Sequence, residues 1–145
     1  MAKYAADTAV PVERSRAEIE KTLQRFGADE FVYMHSPTDA SVGFRARGRL
    51  VRFRLPLRDT LKHDTQKQRD QAVRSAWRAL ALSIKAKCVA VDSGIVSFES
   101  EFMPQTVMPD GMTAADHVLP RIADAYAGRK SISLLPHFPT TDDAT

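Results

Sequence analysis

Five arginines lie within fourteen consecutive positions of this 145-residue chain, in the segment FRARGRLVRFRLPL at residues 44–57. The guanidinium group stays charged at physiological pH and binds phosphate or carboxylate groups through two parallel hydrogen bonds. Phenylalanine, leucine and valine alternate with these arginines, a pattern typical of strands with one apolar and one charged face. The segment therefore predicts a strand pair that presents a surface to an acidic ligand.

Basic residues are concentrated in one part of the chain. Residues 44–87 contain 13 Lys and Arg against three Asp and Glu, a local net charge of +10. The other positions contain eight basic and 15 acidic residues, a net charge of −7, so the whole chain carries only +3. This segregation favours nucleic acid or an acidic protein as the partner, and a merely solvated basic face is the alternative.

The apolar positions determine the register of the predicted hairpin. Gly48 after Arg47 indicates a two-residue turn between strands 40–46 and 49–55. This turn gives three apolar cross-strand pairs on one face: Phe44 with Val51, Val42 with Phe53, and Ala40 with Leu55. Four arginines fall on the other face: Arg45, Arg47, Arg52 and Arg54. Since both phenylalanines face the core, neither is available to stack on bases.

The remaining periodicity predicts an α+β fold. A helix over Val12 to Phe26, with Ser15 as N-cap and Glu18 as its capping-box partner, precedes a short strand at Glu30 to Met34. After the hairpin, a long helix is predicted from about Thr65 to Val91. The order is helix, three-stranded antiparallel sheet and long helix (αβββα), with helices on one face of the sheet and additional short C-terminal helices.

The long helix has an apolar and a basic stripe. Six core positions fall within about 80° of its circumference at 100° per residue: Val73, Trp77, Leu80, Ile84, Cys88 and Val91. Four basic residues form a second stripe roughly 100° from the first: Lys67, Arg74, Arg78 and Lys85. If this helix packs edge-on against the sheet, the basic stripe extends the arginine face of the hairpin.

The C-terminal part is less regular. IVSFESEFM, residues 95–103, is compatible with a strand, but a short helix capped by Ser97 is favoured; QTVM is a possible short strand and PDG a turn. Thr113 and Asp116 predict a capped final helix that Pro120 should bend or split. This helix has three predicted core positions: Val118, Ile122 and Tyr126.

One domain is expected over residues 12–135, between a flexible arm at 1–11 and a disordered tail at 136–145. With no apolar run of about 18 residues and no secretory signal, we expect a cytoplasmic protein without a membrane partner.

Motifs for catalysis, metals or cofactors are not found in the sequence. The four histidines have no HxxxH or HExxH spacing, and the single cysteine, Cys88, excludes a CxxC site or an internal disulfide. Walker, GxGxxG and GxSxG loops are also missing. We therefore predict no catalytic residue, metal or cofactor, and a binding protein rather than an enzyme.

Three stretches resemble a family of short bacteriophage and prophage proteins that has no assigned activity: VPVERSRAEIEKTLQRFGADEFVY, GRLVRFRLPL and WRALALSIKAKCVAVDSGIVSFESEFMPQTVMPDGMT. The resemblance covers most of the chain, and it implies a phage-type origin and one compact domain but no functional residue. The αβββα order is also similar to that of double-stranded RNA-binding domains, whose KKxAK-type motif is replaced here by KQRDQAV.

Two functions follow from these features. The first is a phage accessory protein of recombination or replication that binds nucleic acid, DNA rather than RNA, through eight basic residues: Arg45, Arg47, Arg52, Arg54, Lys67, Arg74, Arg78 and Lys85. The second is an interaction protein that inhibits or redirects an acidic host factor. Only the first predicts an affinity that increases with oligonucleotide length. Neither predicts an oligomeric state.

Overall fold

A computed structural model of the protein describes residues 5–128. Seven α-helices and β-strands follow one another in these residues: α1 (Val12–Gln24), β1 (Glu30–His35), β2 (Asp39–Ala46), β3 (Arg49–Pro56), α2 (Gln66–Asp92), α3 (Phe98–Glu101) and α4 (Ala114–Ala127). Short 3-10 helices lie at Arg58–Lys62 and Met103–Gln105. The predicted α+β class, the αβββα order and the short C-terminal helices are confirmed. The predicted tail at 136–145 and the start of the predicted arm lie outside the described residues.

The three strands form one antiparallel sheet in the order β1-β2-β3. The β2–β3 register pairs Phe44 with Val51 and Val42 with Phe53, as predicted. Arg47 and Gly48 form the turn with φ values of +49° and +73°. Left-handed conformations at both central positions define the type I′ turn, whose twist matches that of the strands it connects.

The core lies between one face of the sheet and the helices α1, α2 and α3. Phe44 from β2, Leu23 from α1 and Ile84 from α2 are almost completely buried there. Burying an apolar side chain of this size stabilises the fold by roughly 1.5–3 kcal/mol. Trp77 and Cys88 belong to the same cluster, so both are core residues, as their helical spacing predicted.

The starts of the helices agree only in part with the predictions. Ser97 caps α3, since its hydroxyl accepts a hydrogen bond from the Ser100 N–H group. Ser15, in contrast, is not the N-cap of α1, and that prediction is wrong. The helix begins one turn earlier, directly after the extended residue Pro11. This earlier start brings Val12 against the core and buries Ser15 inside the helix.

The helix α4 does not contribute to the core. Of the bend or split predicted at Pro120, the split does not occur, because the helix runs without interruption through this residue; the predicted capping box of Thr113 and Asp116 is present. The prediction of three core positions in this helix is wrong: Val118, Ile122 and Tyr126 are 39%, 45% and 63% exposed. The core side of the sheet is already covered by α1, α2 and α3, so the apolar stripe of α4 finds no place on it.

Candidate functional site

The sheet face opposite the core carries exposed side chains in all three strands. Strand alternation directs every second residue to this side, and the register then places eleven residues together. We call this surface the open face; its residues are Glu30, Val32, Met34, Asp39, Ser41, Gly43, Arg45, Leu50, Arg52, Arg54 and Pro56.

Two arginines of the open face form ion pairs with carboxylates from neighbouring strand positions. Arg45 Nε donates to Glu30 Oε2 at 3.0 Å across the β1–β2 pair. Arg54 Nη2 and Nε donate to Asp39 Oδ1 at 2.9 and 3.1 Å. Hydrogen bonds from Thr38 and Arg54 lower the pKa of Asp39 below its usual value. Both arginines are therefore where the register predicted them, but each has a carboxylate within hydrogen-bonding distance.

Arg52 is held by the segment that follows α3. The Val107 N–H group donates to the Leu50 carbonyl oxygen at 2.8 Å, which attaches this segment to the outer edge of β3. The turn beyond it then places the Gly111 carbonyl oxygen 2.9 Å from Arg52 Nη2. Arg52 also contributes to the lowered pKa of Asp116, whose main cause is a hydrogen bond from the backbone of the N-cap residue. Arg52 is thus half-buried at this edge.

Arg47 does not lie on the open face, and this prediction is wrong. The residue occupies the turn, where its left-handed backbone takes the side chain out of the strand alternation. Its guanidinium carbon lies 5.0 Å from the centre of the Phe98 ring and 5.7 Å from that of Phe26. Phe98 is a core residue, so Arg47 closes the end of the core through cation–π contacts.

The basic residues of α2 are separated from the open face by the sheet itself. The helix packs on the core face rather than edge-on. Arg78 forms an ion pair with Glu18 of α1, and Arg74 Nη2 donates to Gln71 Oε1 at 2.6 Å. Lys67 and Lys85 are exposed. The eight predicted residues therefore do not form one continuous basic surface.

Folding brings together charges that are far apart along the chain. Within residues 5–128, four ion pairs join a basic residue of the segment 44–87 to an acidic residue outside it: Arg45–Glu30, Arg54–Asp39, Arg78–Glu18 and Lys87–Glu101. These pairs neutralise part of the local excess of +10. The attraction for a polyanion is accordingly weaker than the count along the chain suggests.

The open face has an apolar strip along the edge strand β1 that the sequence analysis did not predict. Val32 and Met34 of β1 are 68% and 60% exposed, and Leu50 of β3 is also exposed. On the other side of β1, Phe31 and Tyr33 pack against the core. The strand is therefore apolar on both faces. This two-sided pattern in EFVYM was the signal that could have revealed the exposed apolar strip.

Histidine and carboxylate side chains do not gather into a metal-binding group within residues 5–128. Among the carboxylates of these residues, only that of Asp110 lies within ion-pair distance of His117, at 2.7 Å. In the same part of the chain, no helix combines the length and hydropathy needed to cross a membrane. Comparisons with protein families, with curated proteins and with solved structures found no match to this chain.

Proposed function

We propose that this protein is an interaction protein that binds another protein through its open face. The observation that carries the proposal is the exposed pair Val32 and Met34 beside the arginines of the same face. Protein interfaces combine apolar contacts with neighbouring polar and charged groups, and methionine and arginine are enriched in them. An exposed apolar patch with a polar rim is a usual mark of a protein-binding surface.

The arginines beside the apolar strip of β1 favour a partner with acidic groups. The side chains of Arg45 and Arg54 are 49% and 74% exposed. An exposed ion pair contributes little to stability, so Glu30 and Asp39 hold the two arginines only weakly. Carboxylates of a partner can therefore take their place, and such charge complementarity selects which partner binds. We expect a partner surface with an apolar ridge and flanking acidic side chains.

Nucleic-acid binding is the second candidate, because Arg45, Arg52 and Arg54 lie on one face as predicted. Two properties of the face count against it. None of its residues is aromatic, so bases have no stacking partner. Two of its three arginines, Arg45 and Arg54, are also paired with the carboxylates of Glu30 and Asp39, which reduces the charge that phosphates would meet.

The resemblance to phage proteins suggests the setting in which such an interaction would operate. We propose a protein of the bacterial host as the partner and the host cytoplasm as the place of binding. The functional consequence would be inhibition or redirection of that host protein.

The proposal is tested with two double variants and one control. Val32→Ser with Met34→Ser removes the apolar strip of β1, and Arg45→Glu with Arg54→Glu reverses the charge of the two arginines beside it. The control Val89→Ser changes an apolar residue of α2 with 58% exposure, away from the open face. Proteins crosslinked to the wild type in a bacterial lysate are identified, purified and titrated by calorimetry. Both double variants should weaken binding at least tenfold, whereas the control should leave the affinity unchanged.

A partner that binds the Val32→Ser/Met34→Ser variant as tightly as the wild type would contradict docking on the open face, as would the lack of any partner that depends on these residues. Fluorescence anisotropy with DNA and RNA of several lengths, at about 50 mM salt, tests the second candidate. Affinity that rises with length and is lost after alanine replacement of Arg45, Arg52 and Arg54 would identify nucleic acid as the ligand instead.

A further inference from the structure

The outer edge of β1 is an unpaired strand edge. The Ser36 N–H group donates to the Asp39 carbonyl oxygen, and the register continues from this pair along β1 and β2. Hydrogen-bonded and non-hydrogen-bonded pairs alternate in an antiparallel sheet, so the even-numbered residues of β1 are bonded to β2. The N–H and C=O groups of Phe31, Tyr33 and His35 therefore point outwards. No strand or bridge of residues 5–128 pairs with them.

This edge lacks the features by which edge strands usually avoid further pairing. Natural edges are protected by proline, charged side chains (lysine above all), bulges or a covering segment. The strand EFVYMH has neither proline nor lysine, and it pairs with β2 without a bulge. Its one carboxylate, that of Glu30, is at the first residue of the strand and is paired with Arg45 of β2. The opposite edge of the sheet differs, since β3 ends at Pro56 and its Leu50 carbonyl oxygen is bonded to Val107. Of the two edges, β1 is the one open to an added strand.

The flank of α1 above this edge carries two opposite charges. The Arg16 guanidinium carbon lies 4.0 Å from the centre of the Tyr33 ring. Glu20, one helical turn further on, is close to the same tyrosine. Burial is the main cause of the raised pKa of the Tyr33 hydroxyl, and the Glu20 carboxylate raises this pKa further. Arg16 and Glu20 are half-buried, and neither forms an ion pair within residues 5–128.

We propose that a second copy of this chain docks on the β1 edge, with the two β1 strands antiparallel about a two-fold axis at Tyr33. In this register Phe31 of each copy pairs with His35 of the other. All three outward-facing residues then form hydrogen-bonded pairs, which gives about six backbone hydrogen bonds between the strands. A groove of about 410 Å³, lined by Arg16, Tyr33 and Met34 among others, gives the added side chains room on the core side.

Charge complementarity argues for a second copy rather than an unrelated strand. Arg16 and Glu20 flank Tyr33 on opposite sides along α1, so the axis at Tyr33 also relates the two α1 helices. Arg16 of each copy then lies across from Glu20 of the other. Two intermolecular ion pairs form from charges that each chain leaves unpaired. The dimer also joins the two open faces into one six-stranded surface with Val32 and Met34 at its centre.

The inference is independent of the proposed function and is tested by the oligomeric state. Light scattering after size-exclusion chromatography of the full chain should give about twice 16.1 kDa. Arg16→Glu and Glu20→Arg should each raise the dissociation constant of the dimer at least tenfold, and the double variant should restore dimerisation because the opposite charges face each other again. Lys21→Glu, an exposed charge reversal on α1, is the matched control. Far-ultraviolet circular dichroism confirms the fold of each variant.

A wild type that is monomeric at about 100 µM, where a dimer with a dissociation constant of about 1 µM is largely formed, would overturn the inference. A dimer that is insensitive to the Arg16 and Glu20 variants would overturn it too. If the dimer is lost only in the double variant Leu119→Ser with Ile122→Ser, the interface lies on α4 and the inference is wrong. Partner binding is measured on the monomeric Glu20→Arg variant, so failure of this inference and failure of the proposed function are distinguished.

Discussion

Replacing Ile84 and Ile122 separately with alanine compares the same truncation in the core and on α4. Ile84 is completely buried, whereas Ile122 is 45% exposed. Truncation of isoleucine to alanine in a packed core costs about 2–5 kcal/mol, because transfer free energy is lost and a cavity remains. Ile84 touches the same cluster as Trp77 and Phe44, and a site packed between a helix and a sheet closes poorly. We expect Ile84→Ala in the upper half of that range.

At Ile122 the same change should be nearly neutral. Its neighbours on α4 are themselves exposed, and no residue of this helix is buried, so truncation leaves no cavity. Alanine also has a higher helix propensity than isoleucine by a few tenths of a kcal/mol. The expected change in the free energy of unfolding is within about 0.5 kcal/mol, as for other surface positions.

Urea unfolding provides the assay, because the single tryptophan, Trp77, is buried in the core and reports its loss by fluorescence. Free energies are compared by linear extrapolation at equal slopes. A cost above about 1.5 kcal/mol for Ile122→Ala would contradict this reasoning, since surface substitutions rarely reach it. The apolar stripe of α4 would then be covered in solution, and a dependence on protein concentration would identify a second copy as the cover.

Two further predictions concern single titratable groups. Asp39 has a lowered pKa in the folded state because of hydrogen bonds from Thr38 and Arg54. The ionised carboxylate therefore stabilises the folded protein above the unfolded pKa of about 3.9, and this stabilisation is lost as the pH falls through the folded pKa. The stability difference between the wild type and Asp39→Asn, measured by urea unfolding from neutral to acidic pH, should therefore shrink in acid, and a constant difference would count against the ion pair. Burial, with a smaller effect of Asp92, raises the pKa of Cys88 to about 11. A disulfide reagent at neutral pH should react about 100-fold more slowly with the folded than with the unfolded protein, and equal rates would show that the thiol is not buried.

The hairpin could be predicted to the residue because its pattern tolerates one register only. A shift by one position would place Arg52 opposite Phe44 and bury a charge, which costs far more than any gain in turn geometry. The strand β1 has no such constraint, since Val32 and Phe31 on its two faces are both apolar. The exposed side of β1 therefore became known only from the structure.

The position of α4 could not be predicted for a related reason. Amphipathic spacing identifies the apolar stripe of a helix, but it does not say which surface covers that stripe. For α2 the sheet was the obvious surface, and Trp77 and Ile84 lie on it. The helices α1, α2 and α3 cover that surface, so it has no room for Val118 and the rest of the apolar stripe of α4.

The charge of the arginine face depends on neighbours that only the fold supplies. Glu30 lies directly across from Arg45 in the β1–β2 register, although it is 15 residues away along the chain. Two kinds of contact are therefore open to a ligand on this face. The first is charge contacts with the exposed ion pairs, each worth about 0.2–1 kcal/mol, and the second is burial of the apolar area of Val32 and Met34, worth about 25 cal/mol per Å² buried.

The charge contacts and the apolar burial respond differently to salt. Phosphate binding through several arginines falls by orders of magnitude between about 50 and 200 mM salt, whereas apolar burial is hardly weakened. Binding that survives at 200 mM and disappears with Val32→Ser and Met34→Ser therefore distinguishes a protein partner from a polyanion.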